Sequence, residues 1–286
     1  MYQEKIKDFL RELSNTREDL PFSPALLQQL HSQTGENSNA TMQQIGETLS
    51  KDQGVTARIL SLANSSYYGL QAEVGSVERA AAVIGLNEIR NIVLMLGVQR
   101  LAAKYPLPDD FVLAEYWEHH FLVGTVAKEL SRLVGVGNPQ NLFTAGLLHD
   151  IGKLITAMFR PDDWQAMVEL AEDEEIVDSE AEDRYWGVDH AVIGALVLKS
   201  WDLPDMLVEP VNWHHSPELA PGYSNEATII CLADYAAHAV ADPEGPYAGR
   251  VEQLCIDMEL DLDEVMEITE ELAESDEVEE FVQLLN

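Results

Sequence analysis

The sequence predicts an all-α protein, a multi-helical bundle with an N-terminal helical subdomain. Apolar residues recur at i, i+3, i+4 spacing along most of the 286 residues. Gly, Pro and Asn clusters punctuate those stripes where helices must stop. With 46% hydrophobic and 24% charged residues, the chain also has the composition of an ordinary globular protein with a sizeable core.

Pro21, Pro24 and the Gly35 to Asn39 cluster divide the first part into short segments. From Thr41 the pattern is clear: Met42, Ile45, Leu49, then Val55, Ile59, Leu60 and Ala63 fall at helical spacing, and Gly69 is a plausible stop. Ser76 restarts the helix with the stripe Val77, Ala80, Ala81, Ile84. Gly85-Leu86-Asn87 reads as a turn, and Ile89, Ile92, Val93, Leu96 form the next stripe. His31 is the only histidine in this half, so residues 1–105 read as packing and interaction surface. Tyr105 to Asp110, with two prolines, reads as the linker to a second subdomain at 111–240.

That second part holds seven of the eight histidines. Its first helix, Phe111 to Val134, carries Glu115 and His119 on one face, four residues apart, with His120 on the Leu113/Trp117 stripe. One of the two histidines reads as a core residue bonded to backbone. After a Gly-Asn-Pro turn, the apolar run Phe143 to Phe159 reads as one buried helix interrupted by His149-Asp150, with Lys153 on the same face and Gly146 and Gly152 allowing close helix approach. Lys153 could neutralise a phosphate there or reach to solvent. The acidic interval Glu172 to Asp183 reads as a solvated face. Asp189 can cap a helix whose first turn holds His190 and whose core stripe is Ile193, Leu196 and Val197, with Gly194 giving space beside the imidazole. Pro204 opens the helix that Pro210 is expected to kink and that leads to His214 and His215. Asp234 falls on the apolar stripe Ala227, Ile230, Ala237. Residues 251–286 contain 14 acidic and no basic residues, which marks an acidic amphipathic helix, capped by Asp261 and Glu264, and a second short one.

The net charge of −34 argues against nucleic acid or anionic membrane as partners, and a phosphate ligand would need bound cations to approach. The absence of an uninterrupted run of about 18 apolar residues or a cationic leader leads us to expect neither membrane span nor export signal. Cys231 and Cys255 form no disulfide framework and read as core residues of a cytoplasmic protein.

His119, His149, Asp150, His190, His214, His215 and Asp234, with Glu115 as an outer member, should be buried yet need partners. Either a hydrogen-bond network or metal ions can satisfy them. Imidazole with carboxylate suits iron, manganese, zinc, nickel or cobalt, and the set exceeds what one ion takes. Two ions sharing Asp150 would use it: His119, His149, Asp150 and Asp234 on one, and Asp150, His190, His214 and His215 on the other. Such pairs clamp the oxygens of a phosphoryl transfer. Asp150 and Lys153 are then the residues expected nearest the chemistry.

His119, His149-Asp150 and Asp234 are similar to the H…HD…D pattern of the HD superfamily of metal-dependent phosphohydrolases. The chain more closely resembles HDOD domains, HD-related output domains of bacterial signalling. The resemblance rests on Leu20 to Pro24, Lys51 to Leu60, Ala63 to Gly69, Ile84 to Leu86, Gly146 to Lys153, Trp186 to His190 and Trp213 to Pro217. It covers roughly 220 residues and implies an all-α HD-like fold with a signalling role. Glu115 and Lys153 stand where the related HD-GYP phosphodiesterases have a further ligand and a phosphate-facing lysine. The residues after His215 carry no Gly-Tyr-Pro loop. Three functional readings follow, in order: a regulatory scaffold with a metal-holding site, a phosphohydrolase of a small phosphoester or phosphodiester, and a metal-free bundle. The expected partners are a signalling protein, supplying the input, and a small phosphorylated ligand.

Overall fold

The protein is described by a computed structural model in which residues 40–64 and 74–276 are described, together with Phe9, Gln29, Leu30, Gln33, Val278 and Phe281. Every element among the described residues is helical. The breaks expected at Pro21, Pro24 and 35–39, the stop at Gly69, His31, and most of the second acidic C-terminal helix lie outside them. By its internal contacts the chain forms two compact units. One comprises residues 17–104 and 283–286, the other residues 1–16 and 105–282.

In the smaller unit, α1 (Met42–Leu49) starts at Thr41, whose hydroxyl accepts from the Gln44 amide while the Gln44 side chain returns a bond to the Thr41 amide. This reciprocal cap satisfies two donors that a helix start leaves open. Asp52 opens α2 (Gln53–Ala63): its Oδ1 accepts from the Gly54 and Val55 amides at 2.9 and 3.0 Å, and its carboxylate is gripped by both guanidinium nitrogens of Arg100. Ser76 caps α3 (Val77–Ile84). The turn expected at 85–87 is a single residue, because Gly85 at φ +93° ends α3 and α4 (Leu86–Ala102) begins at once. Ile45, Leu49, Val55, Ile59, Ala80, Ala81, Ile89 and Val93 are fully buried, as their spacing predicts.

The larger unit is built on α5 (Leu113–Val134), which ends at Gly135 in the left-handed conformation and packs along α6 (Pro139–Leu148). Asn138 caps α6, with Pro139 in its first turn. The predicted single buried helix over 143–159 is two helices, α6 and α7 (Ile151–Phe159), because Asp150, at φ −102°, ψ 20°, leaves helical geometry just after His149, which is still helical. Together, Pro139–Phe159 is long and apolar enough to cross a membrane, contrary to the expectation from uninterrupted apolar runs. Its apolar window is 89% buried within the fold, as a central pair of core helices would be.

Helix α8 (Pro161–Glu174) packs on α7 and on α9 (Asp178–Trp186). Helix α10 (His190–Ser200), capped by Asp189, lies against α7 and α11 (Asp205–Trp213), which follows Pro204 and contains Pro210. Leu196, predicted on the core stripe of α10, is 43% exposed; Ile193 and Val197 face inward with Leu198. A 3₁₀ turn at Pro217–Leu219 leads to α12 (Ser224–Ala241), which packs on α5 and α11. Helices α13 (Ala248–Asp257) and α14 (Leu262–Ala273) close the unit. Asp261 accepts from the Asp263 and Glu264 amides, the first half of the expected capping box, and α14 packs on α12 and α5 through buried Val265 and Thr269. Cys231 and Cys255 are buried free thiols, and burial pushes the first up to about 12.

Two glycine contacts set the distance between the helices that carry the histidines. Gly146 of α6 sits against the backbone of Gly124 in α5, and Gly152 of α7 against the carbonyl of His190 and the amide of Gly194 in α10. The space allotted to Gly194 is therefore filled by α7 rather than lying beside the imidazole. A methyl group at Gly152 would overlap the His190 carbonyl oxygen, so Gly152→Ala should destabilise the protein by about 1–3 kcal/mol in urea unfolding. An unchanged midpoint would mean that the α7–α10 approach is not tight. In the smaller unit, Asp52→Ala removes a cap and an ion pair and should cost about 1–2 kcal/mol. Arg100 holds the Asp52 carboxyl below its ordinary value, so that contribution is present above pH 3.8 and disappears as pH falls through the depressed value.

Candidate metal centre

The break between α6 and α7 turns two adjacent side chains onto one interior point. Asp150 is buried, and its Oδ1 faces three imidazole Nε2 atoms: His190 at 2.7 Å, His149 at 3.4 Å and His214 at 3.5 Å. Each imidazole is held from its other side. His149 Nδ1 donates to the Gly146 carbonyl at 2.8 Å, His214 Nδ1 to the Val211 carbonyl at 2.7 Å, and His190 Nδ1 to the Glu182 carboxylate at 2.6 Å. A neutral imidazole with its proton on Nδ1 has a bare lone pair on Nε2. With all three rings neutral, three lone pairs would thus aim at a carboxylate oxygen that has only lone pairs to offer. Asp150 Oδ1, His149 Nε2 and His214 Nε2 are buried and carry no aligned hydrogen bond.

His215 extends the group, its Nε2 2.8 Å from His190 Nε2 and its Nδ1 buried without a partner. On the opposite side, Asp234 of α12 brings Oδ1 to 3.1 Å from His119 Nε2 and 3.4 Å from His149 Nε2. Asp150, His190, His214 and His215 present one ligand atom each within 4.8 Å of one another; so do His119, His149 and Asp150, and so do His149, His214 and Asp234. The seven residues singled out from the sequence therefore meet in one place. Glu115 does not join them: it is exposed and belongs to none of these groups. His120 is the core histidine of its pair, with Nδ1 donating to the Tyr116 carbonyl at 2.5 Å.

Lys153 is engaged by two carboxylates beside a cavity lined by Phe111, Trp164 and Glu182. Its ammonium lies 2.9 Å from Asp150 Oδ2 and 2.9 Å from Asp178 Oδ2. Asp178 and Glu182 both come from the acidic interval read as a solvated face. Glu182 is 6% exposed and accepts from the His190 amide at 2.7 Å as well as from its ring. One turn of α9 therefore orients a prospective ligand and the lysine that pairs with Asp150. A second residue missed from sequence, His238, places Nε2 3.4 Å from Asp234 Oδ1. Of the two, only His238 had a readable signal, since it follows Asp234 by one helical turn.

Electrostatics favours cationic occupancy. Burial alone would lower the His149 imidazole, but the Asp150 and Asp234 carboxylates reverse this and hold it at about 9. Burial is likewise overcome at His190, where Asp150 and Glu182 hold the ring well above its ordinary range. Both carboxylates stay ionised despite burial, Asp150 through His149, His190 and Lys153, and Asp234 through His238, His119 and His149. The pocket demands positive charge, which protons or a divalent ion can supply. Nitrogen and oxygen donors without thiolate fit a borderline divalent cation, and the anchored Nδ1 atoms are the outer partners such ligands have in metal sites.

With this geometry in place, the comparisons with known proteins are decisive for the family. The sequence model of the HDOD domain matches residues 20–217, well over half the chain. The chain belongs to the HDOD family. Among solved structures, this HDOD protein is similar to a candidate phosphohydrolase from Shewanella amazonensis SB2B, at TM-score 0.73 and 27% identity over 96% of this chain and 98% of the other. An HDOD domain protein from Geobacter sulfurreducens shares the fold at TM-score 0.69 and 23% identity, covering 93% and 96% of the two chains. A curated protein of Treponema pallidum (strain Nichols) is 23% identical over 232 residues, which are 80% of this chain; the match spans 44% of that protein's length. The HDOD match ends before α12, so Asp234 and His238 lie outside it.

Two measurements check the centre. Because His149 is raised from 6.5 to about 9, the stability that its charge gives the metal-free protein is fully present below pH 6.5 and is lost as pH rises through about 9. Divalent-metal affinity should climb over the same interval with measurable proton release, because ligation displaces the ring proton. Calorimetry in buffers of different ionisation enthalpy reads this directly, and a pH-independent affinity would contradict it. Glu182→Gln should weaken metal binding about 10–100-fold by loosening His190.

Proposed function

We propose that this HDOD protein is a bacterial signal-transduction module acting as a regulatory scaffold, with a divalent-metal centre in the larger unit. The observation that carries the reading is the convergence of three Nδ1-anchored imidazoles on the buried Oδ1 of Asp150. His119, His149, Asp150 and Asp234 would hold one ion, and Asp150, His190, His214 and His215 a second. The scaffold role is supported by the family match, by the engagement of Lys153 with two carboxylates, and by a net charge of −34, which disfavours approach of a polyanion. We place it in the cytoplasm, with a signalling protein as partner and residues 1–105 as the surface available to it.

A second reading, hydrolysis of a small phosphoester or phosphodiester, is favoured by the completeness of the His/Asp set and by the 27% identical Shewanella relative, which is described as a candidate phosphohydrolase. Bound divalent ions supply Lewis acidity and an ionised water in such centres. Asp150 and Asp234 would balance their charge. Lys153 would have to exchange Asp178 for a phosphoryl oxygen before it could position substrate.

Elemental analysis of tag-free protein tests the metal centre. Stoichiometric transition metal that is lost in Asp150→Ala is expected; metal-free wild type that cannot be loaded would leave a histidine–carboxylate bundle. A screen of cyclic dinucleotides, nucleotides and simple phosphodiesters, wild type against His149→Ala, separates scaffold from enzyme. The scaffold reading expects no turnover from either. Metal-dependent turnover by wild type that His149→Ala abolishes would establish the hydrolase instead.

A further inference from the structure

The two proposed ions leave one side chain of the cluster unused. His238 lies on α12 one turn beyond Asp234, so both project from the same face. Its Nε2 is 3.4 Å from Asp234 Oδ1, and its ring centroid is 4.5 Å from that of His119, whose Nε2 lies 3.1 Å from the same oxygen. His119, Asp234 and His238 present ligand atoms within 4.8 Å of one another. Tyr247, in the segment after α12, stacks on the His238 ring at 4.4 Å and 13° and holds it flat against the cluster.

We propose that His119, Asp234 and His238 form an outer cation position, exchangeable with solvent, to which His119 commits its single Nε2 lone pair in place of the deeper ion, that ion keeping His149, Asp150 and Asp234. The proposal rests on the reading of the deeper residues as a metal centre. Two imidazoles and one carboxylate are the donor set of borderline divalent ions such as Fe(II), Mn(II), Co(II) and Zn(II), and three protein ligands leave coordination sites for water or an anionic ligand. Accessibility separates this position from the others. The side chains of His119 and His238 are 21% and 32% exposed, whereas those of His149, His190 and His214 are at most 1% exposed. Glu115, expected as the outer ligand, is exposed outside the group, and His238 takes the place beside His119 that Glu115 was expected to fill. The bridging oxygen of Asp234 also reaches His149, so occupancy of the outer position is coupled to the deeper set through one carboxylate.

Co(II) titration of chelator-stripped, tag-free full-length protein, followed by visible d–d absorption and by metal content after desalting, tests this. Wild type should show a tight phase and a weaker, rapidly reversed phase. His238→Ala and His238→Gln should weaken the second phase at least tenfold, leave the tight phase in place, and preserve the circular dichroism spectrum. Tyr247→Ala should weaken the same phase less. If both His238 variants bind Co(II) with the wild-type number and affinities, the outer position is refuted while the deeper centre stands. If wild type binds no Co(II) at all, the metal reading itself falls.

Discussion

The architecture depends on an electrostatic constraint: a buried carboxylate oxygen faced by three imidazoles, which is stable only with added positive charge. Asp150 Oδ1 meets three imidazole nitrogens whose hydrogens are committed elsewhere, to two backbone carbonyls and to Glu182. A buried group of this kind is tolerated only when positive charge is supplied. Protons and divalent ions compete for the same electrons, and the helices around the centre fix the geometry in which either must fit. Two glycine contacts, Gly146 on Gly124 and Gly152 on His190, bring backbones close enough for side chains from α5, α6, α10 and the end of α11 to reach that point.

Around this core lies a shell of acidic residues with work of their own. Asp178 and Glu182 lie one turn apart on α9, and between them they hold Lys153 against Asp150 and fix the ring of His190. The lysine thereby lends its charge to the carboxylate rather than to an incoming anion. A protein of net charge −34 that also ties up the cation nearest its centre is poorly suited to attract a polyphosphate from solution.

Much of this was readable from residues alone. Helix starts at Thr41, Ser76, Asn138, Asp189 and Asp261 carry side chains that bond the first free amides, and those bonds are present. The seven His and Asp residues were identifiable because polar groups on apolar stripes have to converge on something. What sequence did not convey was three-dimensional pairing. Periodicity runs straight through His149-Asp150, because an apolar pattern does not register a departure from helical dihedrals at the single residue Asp150. Glu182 was hidden inside an acidic run whose composition is that of solvent-facing helix, and only its placement opposite His190 distinguishes it from its neighbours. His238 lies one turn past Asp234 on the same stripe, and its role emerges only when α5 brings His119 against it. Lys153 was correctly placed on the face of Asp150, but its second partner, Asp178, lies on another helix.

The distribution of the ligands along the chain has a consequence for biogenesis. Donors are drawn from His119 through Asp234, so no contiguous stretch holds enough of them to grip an ion. During synthesis the earlier histidines leave the ribosome well before α12. The proposed set that includes Asp234 would therefore be complete only once α12 has docked, whereas Asp150, His190, His214 and His215 all precede that helix.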